Sequence, residues 1–218
     1  MTALEGLGYD IRVIPKDPLL AKAVQSHPDM LTCRIGNRVV MNEAYYQNNK
    51  SCFDGVFVVT TDRCYTDKYP DDVLLNALVI GDTVYGRVDV ICNEILSMCK
   101  RRVYVKQGYA ACSCATVADR AVITSDLSLA KALECDGIDV CVIDPGYIRL
   151  DGYDYGFIGG ASVRLDNGRV AFFGDVKKHP CFDKMKEFAD KHGASLISLS
   201  DEPLTDCGGG FVLELEND

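Results

Sequence analysis

The stretch from Gly156 to Ser200, GFIGGASVRLDNGRVAFFGDVKKHPCFDKMKEFADKHGASLISLS, reads as one complete unit of strand, tight turn, strand, helix and strand. Gly159 and Gly160 open a strand through Leu165, in which Ala161, Val163 and Leu165 alternate with Ser162 and Arg164. That period of two marks a half-buried strand. Asp166-Asn167-Gly168 supplies the turn, because Asn and Gly accept the positive φ that hairpin turns demand. Arg169 to Phe173 returns and leads through Gly174-Asp175 to a helix with Pro180 near its first position, where a missing N–H costs nothing. Phe182, Met185, Phe188 and Ala189 recur at helical spacing, Gly193 stops the helix, and Ser195 to Leu199 is a short apolar strand.

The rest of the chain repeats this unit. Met30 to Ile35 and Arg38 to Met41 flank a Gly36-Asn37 turn, and Leu74 to Ile80 and Thr83 to Tyr85 flank Gly81-Asp82. Helices are expected from Asp17-Pro18 to Val24, around Tyr45 and Tyr46, over Val88 to Cys99, and through Leu129 and Leu133. GYAACSCATVADRAVITSD, from Gly108 to Asp126, lies against GFIGGASVRLDNGRVAFFGD. The hairpin turns near Gly36, Gly81, Asp119 and Asp166 recur every 38–47 residues. A period of that length signals a repeat architecture. Asp206 to Leu215 (DCGGGFVLEL) reads as the first strand of a fifth unit, which the N-terminal strand Tyr9 to Pro15 would complete. Closing a ring in this way hides terminal sheet edges; a stacked α/β domain with similar hairpins is the alternative. Either way, residues 1–218 form a single domain.

Composition narrows the function. At 48% hydrophobic and 25% charged, the 218-residue chain has the make-up of a soluble globular protein. A net charge of −9 argues against nucleic acid as a partner and favours a cationic small molecule. No apolar run is long enough for a membrane helix, and the N-terminus lacks a signal-peptide pattern. Eleven cysteines without CxxC pairs then imply reduced thiols and a cytoplasmic location, with no metal and no cofactor expected.

The GGASVRLDNGRVAFFGD stretch and the Cys-Gly-rich opening of the last strand resemble the pentein fold, the guanidino-group-modifying superfamily. It includes arginine deiminase, agmatine deiminase and dimethylarginine dimethylaminohydrolase. The resemblance implies an α/β, five-fold pseudo-symmetric propeller of ββαβ repeats, with N- and C-terminal strands completing one unit. It also implies a site in the central channel. There a cysteine near the C-terminus attacks the guanidino carbon, a histidine moves protons, and acids hold the cation.

On this sequence the candidate nucleophile is Cys207, in TDCGGG. The histidine has no match: Phe157 or Ala111 stands where it is expected, and none of His27, His179 and His192 opens a first strand. An ordinary thiol without a base is largely protonated at neutral pH, so the sequence leaves enzymatic activity open. Candidate binding residues are Asp154 and Asp206, closest to strand openings, with Asp72, Tyr155, Gly159, Gly160 and Cys112. The acids also read as turn and cap residues in solvated loops, the glycines as packing positions at a crowded centre or as anion nests. The expected activity is binding of a guanidino or amidino metabolite in an acidic channel, with or without Cys207-dependent hydrolase or amidinotransferase chemistry. The alternative is a non-catalytic ring that scaffolds protein–protein interaction.

Overall fold

The computed structural model describes residues 2–166 and 168–214. Asn167 of the fourth hairpin and Leu215, the end of the expected last strand, lie outside the described residues. A short helix α1 (Thr2–Glu5) is followed by an irregular segment and then α2 (Pro28–Leu31). Four sheets follow, each of three strands. The first holds β1 (Thr32–Ile35), β2 (Arg38–Asn42) and β3 (Phe57–Thr61), with α3 (Glu43–Asn48) in the crossover. The second holds β4 (Leu78–Ile80), β5 (Thr83–Gly86) and β6 (Arg101–Tyr104), with α4 (Asn93–Met98). The third holds β7 (Cys114–Ala118), β8 (Ala121–Thr124) and β9 (Asp139–Val142), with α5 (Leu127–Cys135). The fourth holds β10 (Ser162–Asp166), β11 (Arg169–Phe172) and β12 (Ser195–Ser198), with α6 (Phe182–Lys191).

All four sheets share one wiring. The first strand pairs antiparallel with the second across a tight turn, and the second pairs parallel with the third after the helix. Gly36 and Gly81 turn the first two hairpins at φ of 62° and 60°, the left-handed conformation that glycine adopts without strain. Helix starts are fixed locally. Asn42 Oδ1 accepts from Tyr45 N at 3.0 Å, and Asp126 Oδ1 from Leu129 N at 2.8 Å, satisfying donors that a helix N-terminus leaves unpaired. On α5, Leu129 and Leu133 are wholly buried, each stabilising by about 1.5–3 kcal/mol.

The middle strands are the most buried, and the apolar clusters lie between neighbouring sheets. One cluster joins the second sheet to the third through Leu78, Tyr85, Cys114, Val122 and Leu133. Tyr9, Ile11 and Val212 pack on Val163 and Leu165 of β10, while Ile14, Phe211 and Leu213 pack into the cluster of the first sheet. Both chain ends therefore meet between the fourth sheet and the first.

Several local expectations change. Tyr9–Pro15 and the described part of Asp206–Leu215 carry no strand; a single parallel bridge, Arg149 to Thr205, precedes the latter. Four sheets are formed among the described residues, and the two terminal segments are joined to them by side-chain packing. The segment after Asp17 forms turns instead of a helix, tied by Leu19 N donating to Asp17 Oδ1 at 2.9 Å. The helix expected from Val88 begins only at Asn93. No helix among the described residues is long and apolar enough to cross a membrane.

Candidate functional site

Two residues ahead of β4, β7 and β10 stand Asn76, Cys112 and Gly160, and these openings are stitched to one another. Asn76, wholly buried, donates from Nδ2 to Asp29 O and to Cys112 Sγ, both at 2.9 Å. Its Oδ1 accepts from Ala111 N at 2.9 Å. Gly160 N donates to Cys112 O at 3.0 Å, and Gly160 O accepts from Cys207 N at 2.9 Å and Gly209 N at 2.7 Å. Asp29 N donates to Gly208 O at 3.1 Å. The run of hydrogen bonds thus returns to the segment where it began.

This centre is packed tight. A Cβ on Gly159 would lie 2.4–2.5 Å from the carbonyl oxygens of Ala111, Cys112 and Cys114. One on Gly160 would lie 1.9 Å from Asp206 Oδ1. Both glycines, expected as binding or packing residues, stand where a side chain has no room: Gly159 against backbone carbonyls, Gly160 against the Asp206 carboxylate.

Asp206 is 4% exposed and points inward. Its Oδ2 accepts from Phe157 N at 2.9 Å and its Oδ1 from Gly208 N at 3.0 Å. His27, also buried, places Nδ1 3.6 Å from Asp206 Oδ1. Burial lowers the His27 pKa, against the pull of the Asp206 carboxylate. Burial raises that of Asp206, against the Phe157 N–H and His27. Beside them, both carboxylate oxygens of Asp29 are buried without a hydrogen-bond partner among the described residues. Burial and the nearby Asp206 hold Asp29 well above the usual carboxylate range. Burial, with Asp29 and Asp206 close by, likewise pushes the Cys112 thiol well up, so Cys112 is a packed thiol and not a thiolate.

From this centre an aromatic row leads outward along the strand openings. Phe157 stacks on Tyr109 with centroids 5.9 Å apart, and Tyr109 meets Tyr69 at 5.9 Å. The Tyr109 hydroxyl donates to Asp72 Oδ2 at 2.6 Å, while the buried Asp72 Oδ1 has no partner among the described residues. Burial raises the Asp72 pKa. The row already takes a guanidinium: Arg87 lies 5.6 Å from the Tyr69 ring centroid and donates from Nη1 to its hydroxyl at 2.8 Å. Cys207 reaches solvent, yet the protein packed around its sulfur and the Asp206 carboxylate raise its thiol pKa. Asp154 and Tyr155 are exposed, as is Tyr153.

At the hairpin-turn end of the first strands opens a recess of about 770 Å³. Residues of those strands line it, among them Thr32 and Arg34 of β1 and Ser162 and Arg164 of β10, with Gly208 and Gly210.

The structure brings Asp206, Gly159, Gly160 and Cys112 together with two residues the sequence reading did not select, His27 and Asp29. A signal for them existed, since HPDML immediately precedes β1 much as LLNA precedes β4. It was hidden because His27 reads locally as the end of a helix before proline.

Residues 1–211 match the model of a family of unknown function, DUF6873. No curated protein matches the sequence significantly. Among solved structures, an amidinotransferase of the saxitoxin biosynthetic pathway from Microseira wollei is similar with a TM-score of 0.55 at 14% identity, covering 91% of this chain and 72% of that one. A dimethylarginine dimethylaminohydrolase adduct with S-methyl-L-thiocitrulline is similar with a TM-score of 0.55 at 11% identity, covering 92% and 79%. A dimethylarginine dimethylaminohydrolase adduct with 4-chloro-2-hydroxymethylpyridine gives 0.53 at 10% identity, covering 92% and 81%. The resemblance to guanidino-modifying proteins therefore holds at the level of the fold.

Proposed function

The chain belongs to the DUF6873 family, and we propose that it binds a small guanidino or amidino cation where Asp72 meets the Tyr109–Phe157 stack. One observation carries the reading. Asp72 keeps a buried carboxylate oxygen that has no partner among the described residues, beside stacked aromatic rings. An unsatisfied buried acceptor costs about 1–3 kcal/mol until a donor arrives. A planar cation suits both features, pairing with a carboxylate and lying over ring faces. Arg87 on Tyr69 is an internal example of the same chemistry. The net charge of −9 attracts such a ligand.

In this reading the protein is a five-unit ring, with the two chain ends supplying the fifth unit. The circuit of hydrogen bonds from Asp29 through Asn76, Cys112, Gly160 and Gly208 supports closure, as does the packing of Tyr9, Ile11 and Val212 on β10. Cys207 would sit at the ring's mouth beside Asp206, with Asp154 and Tyr155 on its exposed rim. The raised Cys207 thiol favours binding over turnover, because the thiolate is the attacking species. Turnover would need the thiol proton to pass to His27 or to the substrate.

Isothermal titration with agmatine, L-arginine and acetamidine tests this. Saturable binding of at least one is expected, weakened at least about tenfold (1.4 kcal/mol) by Asp72→Asn. Binding unchanged in that variant, or no saturation by any of the three, sinks the proposal. Release of ammonia or urea by the wild type but not by Cys207→Ser would add catalysis to binding.

A further inference from the structure

The recess runs from Asp29 and Gly159 at the strand openings to the hairpin turns at Gly36 and Gly81, and towards the hairpins it carries arginines. Arg34 and Arg164 occupy equivalent positions, each two residues after the strand-opening hydroxyl residue Thr32 or Ser162. Alternation along a strand turns both arginines into the recess together with those residues. Arg34 donates from Nε to Gly36 O at 2.8 Å, which fixes the plane of its guanidinium. Among the described residues neither Nη of Arg34 has a partner.

The acids around the recess are engaged elsewhere. Asp82 pairs with Lys100 at 3.1 Å, Asp136 with Arg101 at 3.0 Å, and Asp119 with Arg164 at 2.8 Å. Asp29, on the floor, is held towards its neutral form by burial. Among the described residues, the charge acting on the Arg34 fork is the like-charged Arg164. Two guanidinium groups lining one cavity of this size, the Arg34 fork without a partner among the described residues, have the chemistry to hold an oxyanion bidentately.

We propose that this recess binds a small molecule through a phosphate or carboxylate group held by Arg34 and Arg164. The site lies at the opposite end of the first strands from Asp72 and does not depend on the cation-binding reading. Arg34 supplies the free fork. Arg164 adds charge from the facing sheet while keeping Asp119.

The test is amide NMR titration of the full chain with inorganic phosphate and, separately, citrate, against sodium chloride at matched ionic strength. Saturable shifts of the Thr32, Ser162 and Gly210 amides are expected with at least one anion. A response to phosphate alone assigns a phosphoryl ligand, and one to citrate alone a carboxylate. Arg34→Gln should weaken the responding anion at least tenfold, and Arg34→Lys should fall between, keeping the charge but losing the fork. The exposed Arg34 side chain makes either variant compatible with folding, which the unperturbed remainder of the spectrum verifies. Shifts equal to those with chloride, shifts away from the recess, or unchanged affinity in Arg34→Gln would overturn the proposal.

Discussion

His27 and Asp206, one near each end of the chain, meet in the buried centre with Nδ1 and Oδ1 3.6 Å apart. Asp206 also accepts the backbone N–H groups of Phe157 and Gly208. It therefore joins the fourth sheet's opening to both chain ends. Asp206→Ala leaves two buried donors unpaired and should lower stability by about 2–5 kcal/mol. Urea titration checks this; a loss below about 1 kcal/mol would mean the centre tolerates unpaired donors or rebuilds around water.

Asp29 gives a signed pH dependence. Its folded pKa lies well above the ordinary 3.8, so the native state keeps a proton that the unfolded state has released. Stability from this group therefore falls as pH rises from about 3.8 towards the folded value. His27 works the other way: its folded pKa lies below 6.5, so its contribution rises with pH and is complete above about 6.5. Asp29→Asn removes the first effect alone. Its gain in Tm should be larger at pH 7.5 than at pH 4.5, with each kcal/mol worth about 2–4 °C for a chain of this size. Equal gains at both pH values would contradict the assignment.

The glycines at the centre make opposite predictions. Gly159→Ala drives a methyl into three carbonyl oxygens at 2.4–2.5 Å and should cost more than about 3 kcal/mol or prevent folding. Gly210→Ala meets only Val163 carbons at 3.5–3.6 Å, ordinary contact, and should stay within about 1 kcal/mol. Thermal melts of the two variants compare them directly; similar behaviour would remove close packing as the reason for glycine at position 159.

Thiol reactivity is the fourth prediction. Cys64, Cys135 and Cys207 are exposed, whereas Cys33, Cys92, Cys99, Cys112, Cys114 and Cys141 are buried. Iodoacetamide on the native protein should modify the exposed three first. The Cys207 rate should climb about tenfold per pH unit and keep climbing through pH 9, because its thiol is raised. A Cys207 rate that levels off below pH 7 would instead identify an activated nucleophile and revive turnover.

The repeat was legible because it is written in local chemistry. Alternating residues such as Ala161, Val163 and Leu165, glycine turns at Gly36 and Gly81, and the cap at Asp126 each act within a few residues. They fixed four strand–turn–strand–helix–strand units and the likeness to a known fold before any coordinates. Asp206, Gly159, Gly160 and Cys112 were singled out the same way, from their equivalent places at expected strand openings.

What joins the units was not legible. No local pattern tells His27 that it will face Asp206, tells Asp29 that its carboxylate will be buried, or pairs Arg34 with Arg164. Those relations depend on which strand openings are brought together across the centre. They also depend on how the chain ends pack, a matter of side chains such as Tyr9 and Val212 on β10 rather than of a strand ladder. The sequence determined the units because secondary structure follows short-range periodicity. The tertiary structure decided the charges at the centre, because desolvation and Coulomb terms depend on neighbours that only folding supplies.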